Sequence, residues 1–530
     1  MGAKQSTLAE KGYVLQKQTE NGSVVATKGD DTFLIKKINL DQTTGNAEPA
    51  LTSEEIIDIL KTTSHPHIVN SKNSFKDQHT YYVVMDYCQG GSLAAKIAEM
   101  SDSLKEFEVL SWIVEICMAL RTIDEKGLLH KHLTPENILL TEFGKVCLDG
   151  FGQIDKNSKN PAANLGENMN YLPPEVFVNG TYDAKSDIWS VGCILYELCT
   201  RQLAFSAETT IKLMPKILNG PNPSLTEPFS PELCELLNYI LNRDPQSRPT
   251  ASEILERPFI VNHLSEKCIT TVKELQTKLD KLREVADGLV RVHEGTTIGS
   301  LAGGVIGAVG GITSIVGLVL APFTLGASLI VTGVGVGVGV AGGVTAGASN
   351  ITNMVNQSSD RKAVRSIIKE LEQKINAVAT WLQEISYRLQ TTRSRCDSVD
   401  ITDNMDSEVK FGCRAGKCLG GISEAVRLGR VLTIGKTAAQ TSRVVRLAEV
   451  ATGVFSGLFV AVDLFFIAMD AKELHHIRQA KDQPSQNTTP IRSEIMKFVH
   501  SIRQAADELQ KILDELETKS AVAYDGGFAP

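Results

Sequence analysis

The stretch HKHLTPENILL, residues 130–140, sets polar side chains and a proline before a short apolar run, and CLDGFGQ, residues 147–153, follows closely. Around these stretches, residues 13–262 mix short β-rich runs, such as TFLIKKINL at 32–40 and TYYVVMDYC at 80–88, with longer amphipathic segments. Both kinds of segment in one region are typical of a mixed α+β domain. We therefore predict an α+β domain over residues 13–262.

The order of short motifs in this region resembles that of a protein kinase. The motifs are FLIKKINL, SEEIIDIL, SHPHIV, YYVVMDYCQGGSL, HKHLTPEN, CLDGFGQ, YLPPE, KSDIWSVGCILYELCT and RDPQSRPT. The segments MDYCQGGSL and SDIWSVGCILYELCT are similar in sequence to the corresponding segments of the NIMA-related serine/threonine kinases. The resemblance implies a bilobal kinase fold.

Phosphoryl transfer needs a phosphate cradle, a lysine on the nucleotide, a base aspartate near the acceptor hydroxyl, and an Asp and an Asn that hold magnesium. The resemblance implies that Lys36 is the nucleotide lysine and that Glu54 or Glu55 is its partner on the following helix. It assigns the magnesium-binding asparagine to Asn137. These residues would keep some capacity to bind ATP.

The resemblance also implies three structural roles in the C-terminal lobe. Asp187 would brace the catalytic loop, and Glu175 and Arg248 match the buried ion pair of that lobe. We expect these three residues to preserve the fold.

Departures from the kinase pattern fall on the residues that carry out the chemistry. His132 stands where the base aspartate is expected, and Thr134 stands at the position of the lysine that follows it. Gly150 stands where the metal-binding aspartate is expected, while Asp149 lies one residue early. A histidine is a poor substitute for this carboxylate, because a protonated imidazole would repel nearby magnesium.

The phosphate cradle departs as well. The three expected glycines align with Thr19, Asn21 and Val24, so the flexible backbone that would close over the phosphates is missing. We predict a pseudokinase, with binding of ATP and magnesium weak or absent and no catalytic residue set intact. Two alternatives stay open: Lys36 survives only as half of a stabilising ion pair, or Asp149 replaces the missing aspartate in an active serine/threonine kinase.

The second half of the chain has a different composition. Residues 295–359 contain no charged side chain, and 301–321 and 327–346 are each long enough to cross a bilayer, which takes about 20 residues. Glycines four residues apart, such as Gly303 and Gly307, are typical of closely packed membrane helices. We prefer a glycine-rich hydrophobic hairpin. A hairpin buried in a soluble helical bundle is the alternative.

Amphipathic segments flank this run. Apolar residues at alternating four- and three-residue spacing predict helices before and after it, and a further helix near the C terminus. The stripes comprise Leu275, Leu279, Leu282, Ala286 and Leu289; Val364, Ile368, Leu371, Ile375, Val378, Leu382, Ile385 and Leu389; and Ile495, Ile502, Leu509, Leu513 and Leu516. The first two stripes could pair as an antiparallel hairpin, and oligomerisation through such helices fits the pattern.

The uncharged run, from GTTIGSLAGG to TAGASNIT, resembles the signature region of the apolipoprotein L family. SRVVRLAEVATGVFSGLFVAVDLFFIAMDAKELH resembles that family's C-terminal hydrophobic segment, and the resemblance spans roughly residues 265–520. It implies an all-α, membrane-associated helical domain that binds lipid and, in some members, forms pH-gated pores. The expected fold class is therefore a kinase-type α+β region followed by an all-α region.

Asp463 lies inside the third apolar segment, where an ionised carboxylate is costly in lipid. One hypothesis is that protonation of Asp463 allows insertion at acid pH. The alternative is that Asp463 faces a helix partner in a soluble bundle. Basic residues from Arg427 to Arg446 either hold this region to anionic lipid head groups or form a solvated helix face.

These observations predict a domain map. The divisions are 1–12, 13–262 (kinase-like), 263–293 (amphipathic helix), 294–359 (hydrophobic hairpin), 360–392 (amphipathic helix), 393–409 (polar linker) and 410–520 (helical region with hydrophobic segment 450–469). The first division carries MGAKQS, which fits the myristoylation pattern at Gly2, although so short a pattern also arises by chance.

Charge and cysteine usage bound the location and the partners. The formal charge of −8 and pI near 5.8 argue against a nucleic-acid partner, because phosphate binding needs a concentrated basic face. Ten cysteines without metal spacing predict reduced thiols and no metal site. The opening residues lack a secretory signal, so we expect an intracellular protein on the cytosolic face of membranes. Its expected partners are membrane lipids and a protein bound by the kinase-like domain.

Overall fold

The structure is a computed structural model that divides into two compact units, Met1–Leu264 and Ser265–Pro530. It describes residues 7–19, 23–29, 31–39, 53–63, 65–77, 80–150, 168–226, 228–299, 361, 364–385, 387, 441–479 and 489–524. Several predictions fall outside these residues, namely those for Gly2, Asn21, the run over 300–360, the linker 393–409 and the basic residues Arg427, Arg430 and Lys436.

A five-stranded antiparallel sheet dominates the first half of the first unit, with strand order β1-β2-β3-β5-β4. Its strands are β1 (Val14–Gln18), β2 (Val24–Lys28), β3 (Asp31–Asn39), β4 (Ser71–Asp77) and β5 (Thr80–Asp86). Successive side chains on β3 point to opposite faces of the sheet. Leu34 joins one apolar cluster and Ile35 the other, so both faces are covered.

Helices make up most of the rest of this unit. They are α1 (Ser53–Thr62), α2 (Leu93–Glu99), α3 (Glu106–Asp124), α4 (Pro174–Asn179), α5 (Ala184–Thr200), α6 (Thr210–Asn219), α7 (Pro231–Ile240) and α8 (Ala251–Leu255). A two-stranded ladder, β6 (Ile138–Leu140) with β7 (Val146–Leu148), carries the loops of the cleft. Short 3-10 helices cover Pro135–Asn137, Asn168–Tyr171 and Pro245–Ser247.

Local sequence fixes the ends of the central helix α5. Asp183 begins it by accepting hydrogen bonds from the backbone N–H groups of Lys185 and Ser186, which satisfies donors that have no partner within the helix. Arg201 ends it in the left-handed conformation, with φ +58°. Trp189 is fully buried in the middle of the helix. The helix therefore serves as the core of the C-terminal lobe.

The second unit is helical in all its described residues. Its helices are α9 (Pro258–Gly299, from Ser265 onward), α10 (364–385), α11 (Thr441–Gln479) and α12 (Thr489–Tyr524). The apolar stripes are buried wherever their side chains are described, from Leu275 to Ala286, Val364 to Ile385 and Ile502 to Leu516. The predicted order of an α+β region followed by a mostly helical region is confirmed.

Polar contacts define how these helices pair. Lys278 of α9 contacts Glu370 of α10, and Lys374 contacts Glu274, each with an N···O distance of 2.7 Å. The later residue of α9, Lys278, contacts the earlier residue of α10, Glu370, so the two helices are antiparallel. The helix α12 also packs along α9, through paired amides of Gln276 and Gln510.

Candidate functional site

Lys36 lies on β3, where it pairs with Val83 of β5, and we call the region between Lys36 and the loop after β7 the cleft. Its Nζ contacts Asp149 Oδ1 at 2.6 Å, and the two side chains are 21% and 14% exposed. Glu55, the predicted helix partner, is an exposed residue of α1, and the side chain of Glu54 lies outside the described residues. The observed carboxylate on Lys36 is therefore that of Asp149, which comes from the loop after β7.

Asn137 and Gly150 pack directly against each other. Asn137 Nδ2 donates to the carbonyl of His132 at 2.8 Å, and the N–H of Asp149 donates to the carbonyl of Asn137 at 2.9 Å. Gly150 has φ +85°, and a Cβ built there would lie 2.8 Å from both Cγ and Oδ1 of Asn137. Two features therefore favour glycine at position 150: its positive φ angle, and the short distance to Asn137 that leaves no room for a Cβ.

This donor set does not fit the magnesium pair of a kinase. Such a pair needs the carboxylate of one aspartate and the amide oxygen of an asparagine, both free to point at the metal. Gly150 supplies no carboxylate, Asp149 is engaged by Lys36, and the Asn137 amide lies against Gly150. Among the described residues, no group of three or more His, Cys, Asp or Glu could hold a metal ion.

Two histidines occupy the catalytic loop. His132, at the position of the base, is half-buried. His130 is fully buried, and burial, reinforced by the nearby His132, lowers its pKa to about 3. His130 is therefore neutral at physiological pH and belongs to the core of the loop.

The predicted phosphate cradle is described at two of its three positions. Thr19 closes the turn after β1, because its N–H donates to the carbonyl of Ser23 at 2.8 Å and its hydroxyl donates to the same oxygen at 3.1 Å. Val24 begins β2 with a buried side chain. Neither residue presents the glycine backbone that wraps phosphates.

An apolar cluster beside the cleft was missed by the sequence analysis. In the strand order, Val25 pairs with Leu34 and Leu34 pairs with Met85. The buried members of the cluster are Val25, Leu34, Val69, Val83, Met85, Cys88 and Cys147, with Tyr81, Tyr87 and Leu139 packed against it. The sequence did contain a signal for this cluster, because the kinase motif V-A-I-K has alanine at the position that Leu34 occupies in FLIK. Leu34 is larger than that alanine, and it lies on the same face of β3 as Lys36 because alternate residues of a strand share a face.

The C-terminal lobe brings its three predicted structural residues into tight contacts. Arg248, 1% exposed, holds Glu175 through Nη1–Oε1 and Nη2–Oε2 contacts of 2.9 and 3.1 Å, and lies over the Trp189 ring. Asp187 accepts the backbone N–H groups of His130 and Lys131 at 2.9 and 3.0 Å. Burial raises the Asp187 pKa to about 6, although these bonds oppose the shift. The loop is braced while its catalytic positions are altered.

In the second unit, Asp463 of α11 contacts two arginines. Its Oδ1 lies 2.6 Å from Arg365 Nη1 and 3.0 Å from Arg361 Nη2. Burial acts to raise the Asp463 pKa, but the hydrogen bonds from Arg365 and Arg361 outweigh it and hold the pKa below its ordinary value. Within the described residues, one helix, Arg446–Phe465, is long and apolar enough to cross a membrane, by length and composition alone.

The sheet order, the lysine on its third strand, the asparagine loop and the Glu175–Arg248 pair define a protein-kinase type of domain. Comparison with known proteins agrees with this class. The family model of the protein kinase domain matches residues 20–260, and that of apolipoprotein L matches residues 267–486. The chain therefore joins a protein kinase domain to an apolipoprotein L domain.

Several Nek kinases are similar to this chain. Mouse Nek1 (Mus musculus) is 35% identical over 256 residues, which is 48% of this chain and 20% of Nek1. Mouse Nek4 is 33% identical over 274 residues, 50% of this chain and 34% of Nek4. Mouse Nek3 is 35% identical over 252 residues, 46% of this chain and 48% of Nek3. The matched region thus spans between a fifth and about half the length of these relatives.

Proposed function

We propose that the kinase domain is a pseudokinase that binds a protein partner and regulates the helical domain, which associates with lipid. The observation that supports this most is the loop of Asp149 and Gly150. Gly150 is held at φ +85° against Asn137, and the carboxylate of Asp149 forms an ion pair with Lys36. Kinase chemistry needs both groups free to hold magnesium.

The Lys36–Asp149 pair and the Leu34 cluster favour a partner-binding role over an ATP-sensing role. A nucleotide would have to break the 2.6 Å contact and enter beside a side chain that is only 9% exposed. Binding of ATP and magnesium is accordingly proposed to be weak or absent. The altered cleft leaves the outer surface of the domain as the place for a protein partner.

Lipid association of the helical domain is supported by composition. The run 295–359 is uncharged, and α11 adds a second uncharged stretch at 450–462. Gly2, if acylated, would add one chain, which alone gives only marginal membrane binding. We propose that the protein is intracellular and lies on the cytosolic face of membranes, with lipids as partners of the second unit.

The pH-gating hypothesis for Asp463 meets an obstacle in the described state. Because its folded pKa is lowered, the ion pair stabilises the bundle above the ordinary carboxyl pKa of about 3.9 and is lost only as pH falls further. Mildly acidic compartments would leave the two arginine contacts intact. Release of α11 would then need a different trigger.

A second candidate function, an active serine/threonine kinase tethered to membranes, is favoured by one observation. Asp149 does place a carboxylate in the cleft beside Lys36. In this alternative Asp149 would replace the missing aspartate at Gly150.

The deciding experiment uses the full chain with radiolabelled ATP, with and without magnesium, together with ATP-induced thermal shifts. We expect no phosphate transfer and no shift that depends on magnesium. Transfer that disappears in Asp149→Asn, while a Lys212→Ala control retains it, would establish the active kinase instead. For the lipid role, leakage from anionic vesicles that is unchanged by deletion of 295–359 would refute the membrane assignment.

A further inference from the structure

The helix α11 has two apolar sides, and the part of the chain that the structure describes covers one of them. Its buried side consists of Ala451, Phe455, Leu458, Val462 and Phe465, all at most 5% exposed. The opposite side, which we call the outer face, consists of Val450, Gly453, Gly457, Val460 and Leu464. A helix that is apolar all round is normally buried all round.

The outer face is open and regular. Val450, Val460 and Leu464 are 54%, 57% and 60% exposed. A Cβ built on Gly453 or Gly457 would meet no atom within 4 Å. The five residues are spaced 3, 4, 3 and 4, the spacing of a helix-packing seam, and the two glycines give a shallow groove along it.

We infer that the outer face of α11 is covered by the uncharged run 300–359 of the same chain. The chain leaves this run beside one end of the outer face, and α9, which leads into the run, extends toward the same end. Arg361, the first described residue after the run, lies 3.0 Å from Asp463. Before the run, Asp287 of α9 contacts Arg503 of α12, and nearby Phe498 of α12 stacks on Phe465 at 4.3 Å.

With both of its ends toward the same end of the outer face, the run would pass along α11 and return. The outer face from Val450 to Leu464 is about 21 Å long at 1.5 Å per helical residue. The segments 301–321 and 327–346 of the run would each extend about 30 Å as helices, with APFTLG between them for the turn.

Composition also fits this occupant. The run has no charge to desolvate, and α11 has none between Glu449 and Asp463. Gly303, Gly307 and Gly311 repeat the four-residue spacing of Gly453 and Gly457, so two helix backbones could approach closely. The two uncharged regions of this domain would thus cover each other when no lipid is present.

The test is hydrogen–deuterium exchange of the full chain in buffer without detergent or lipid. Gly457→Leu should fill the groove and make amides of 301–321 exchange about tenfold faster. The matched control is Thr277→Leu, an exposed position on α9 away from the outer face, which should leave that exchange unchanged.

A reciprocal variant separates docking from local damage. Gly307→Leu should speed the exchange of amides in 450–464, which a purely local effect at Gly307 would not do. Unprotected exchange of 301–321 in the unaltered chain would overturn the inference. Protection of 450–464 that rises with protein concentration would also overturn it, since a second copy of the chain would then be the occupant.

Discussion

The two ends of the catalytic loop have been kept to different degrees. At the Asp187 end, two backbone N–H groups are held by one buried carboxylate, and the neighbouring Glu175–Arg248 pair is bidentate. At the Asn137 end, the same loop lacks its base aspartate, and its asparagine lies against a glycine. The difference teaches that the contacts which shape a kinase lobe can be present where residues that the kinase pattern assigns to phosphate transfer are replaced.

The largest expected effect concerns the buried ion pair between Glu175 and Arg248 in the C-terminal lobe. Arg248→Ala removes one partner of a fully buried ion pair and leaves Glu175 as an uncompensated charge. We expect the free energy of unfolding to fall by about 3–5 kcal/mol, measured by urea denaturation. Lys212→Ala, whose partner Glu208 is 82% exposed, is the control and should change stability by at most about 0.5 kcal/mol. If both variants lost the same free energy of unfolding, the Glu175–Arg248 pair would not be a stabilising contact of the lobe.

The second effect concerns pH and the buried His130. Its pKa is lowered from 6.5 to about 3, so its contribution to stability is complete above pH 6.5 and is lost as pH falls. Between pH 6.5 and 4.5 this loss is about 2–3 kcal/mol. Asp187 acts in the opposite sense, because its raised pKa favours the folded state below pH 3.8 and this benefit is lost as pH rises through 6.

Comparison with His130→Gln isolates the histidine from Asp187. The variant should lower the slope of unfolding free energy against pH by about 1.4 kcal/mol per pH unit in that window. Denaturation curves at pH 6.5, 5.5 and 4.5 measure the slope. An unchanged slope would show that His130 is not held neutral by the fold.

The third effect tests whether the reaction centre can be restored by a single change. Gly150→Asp returns the expected aspartate, but φ +85° and the 2.8 Å approach to Asn137 oppose any side chain. We expect a loss of about 1–3 kcal/mol in stability and no phosphate transfer. Gly144→Asp is the control, since Gly144 has φ +77° with no atom within 4 Å of a built Cβ, and should lose only about 1 kcal/mol. Phosphate transfer by Gly150→Asp would show that the altered loop is merely one residue away from activity.

The smallest effect concerns the apolar cluster. Leu34→Ala should open space beside the cleft and strengthen ATP binding about tenfold, seen as a larger ATP-induced rise in Tm. Ile35→Ala removes a buried side chain on the other face of the same strand and should show no such gain. Equal responses in both variants would place the obstacle to nucleotide elsewhere, for example in the Lys36–Asp149 pair.

Motif order assigns residues to positions in the kinase pattern but does not specify their contacts. Lys36, Asn137 and Asp187 receive their assignments because each sits at a fixed offset within its motif. The bond between Lys36 and Asp149 joins residues 113 positions apart, and the φ angle of Gly150 depends on how its loop packs on Asn137. Neither follows from local composition.

The helical unit shows the same limit. Periodicity identified the buried side of each amphipathic helix, since apolar spacing reflects the helical repeat. It does not specify which helix covers which, so the Gln276–Gln510 contact between α9 and α12, across 234 positions, was not predicted. Leu34 is a different case, because the departure from V-A-I-K was visible in the sequence and was overlooked.

The ion pair between Lys36 and Asp149 also determines what the domain could report to the rest of the cell. A cleft that is shaped by bound nucleotide changes with the supply of ATP. Here an internal carboxylate already neutralises the lysine, so the cleft keeps its charge balance when nucleotide is scarce. Under the proposed function, the signal passed to the lipid-associating half would follow the abundance of a protein partner and would be independent of the metabolic state.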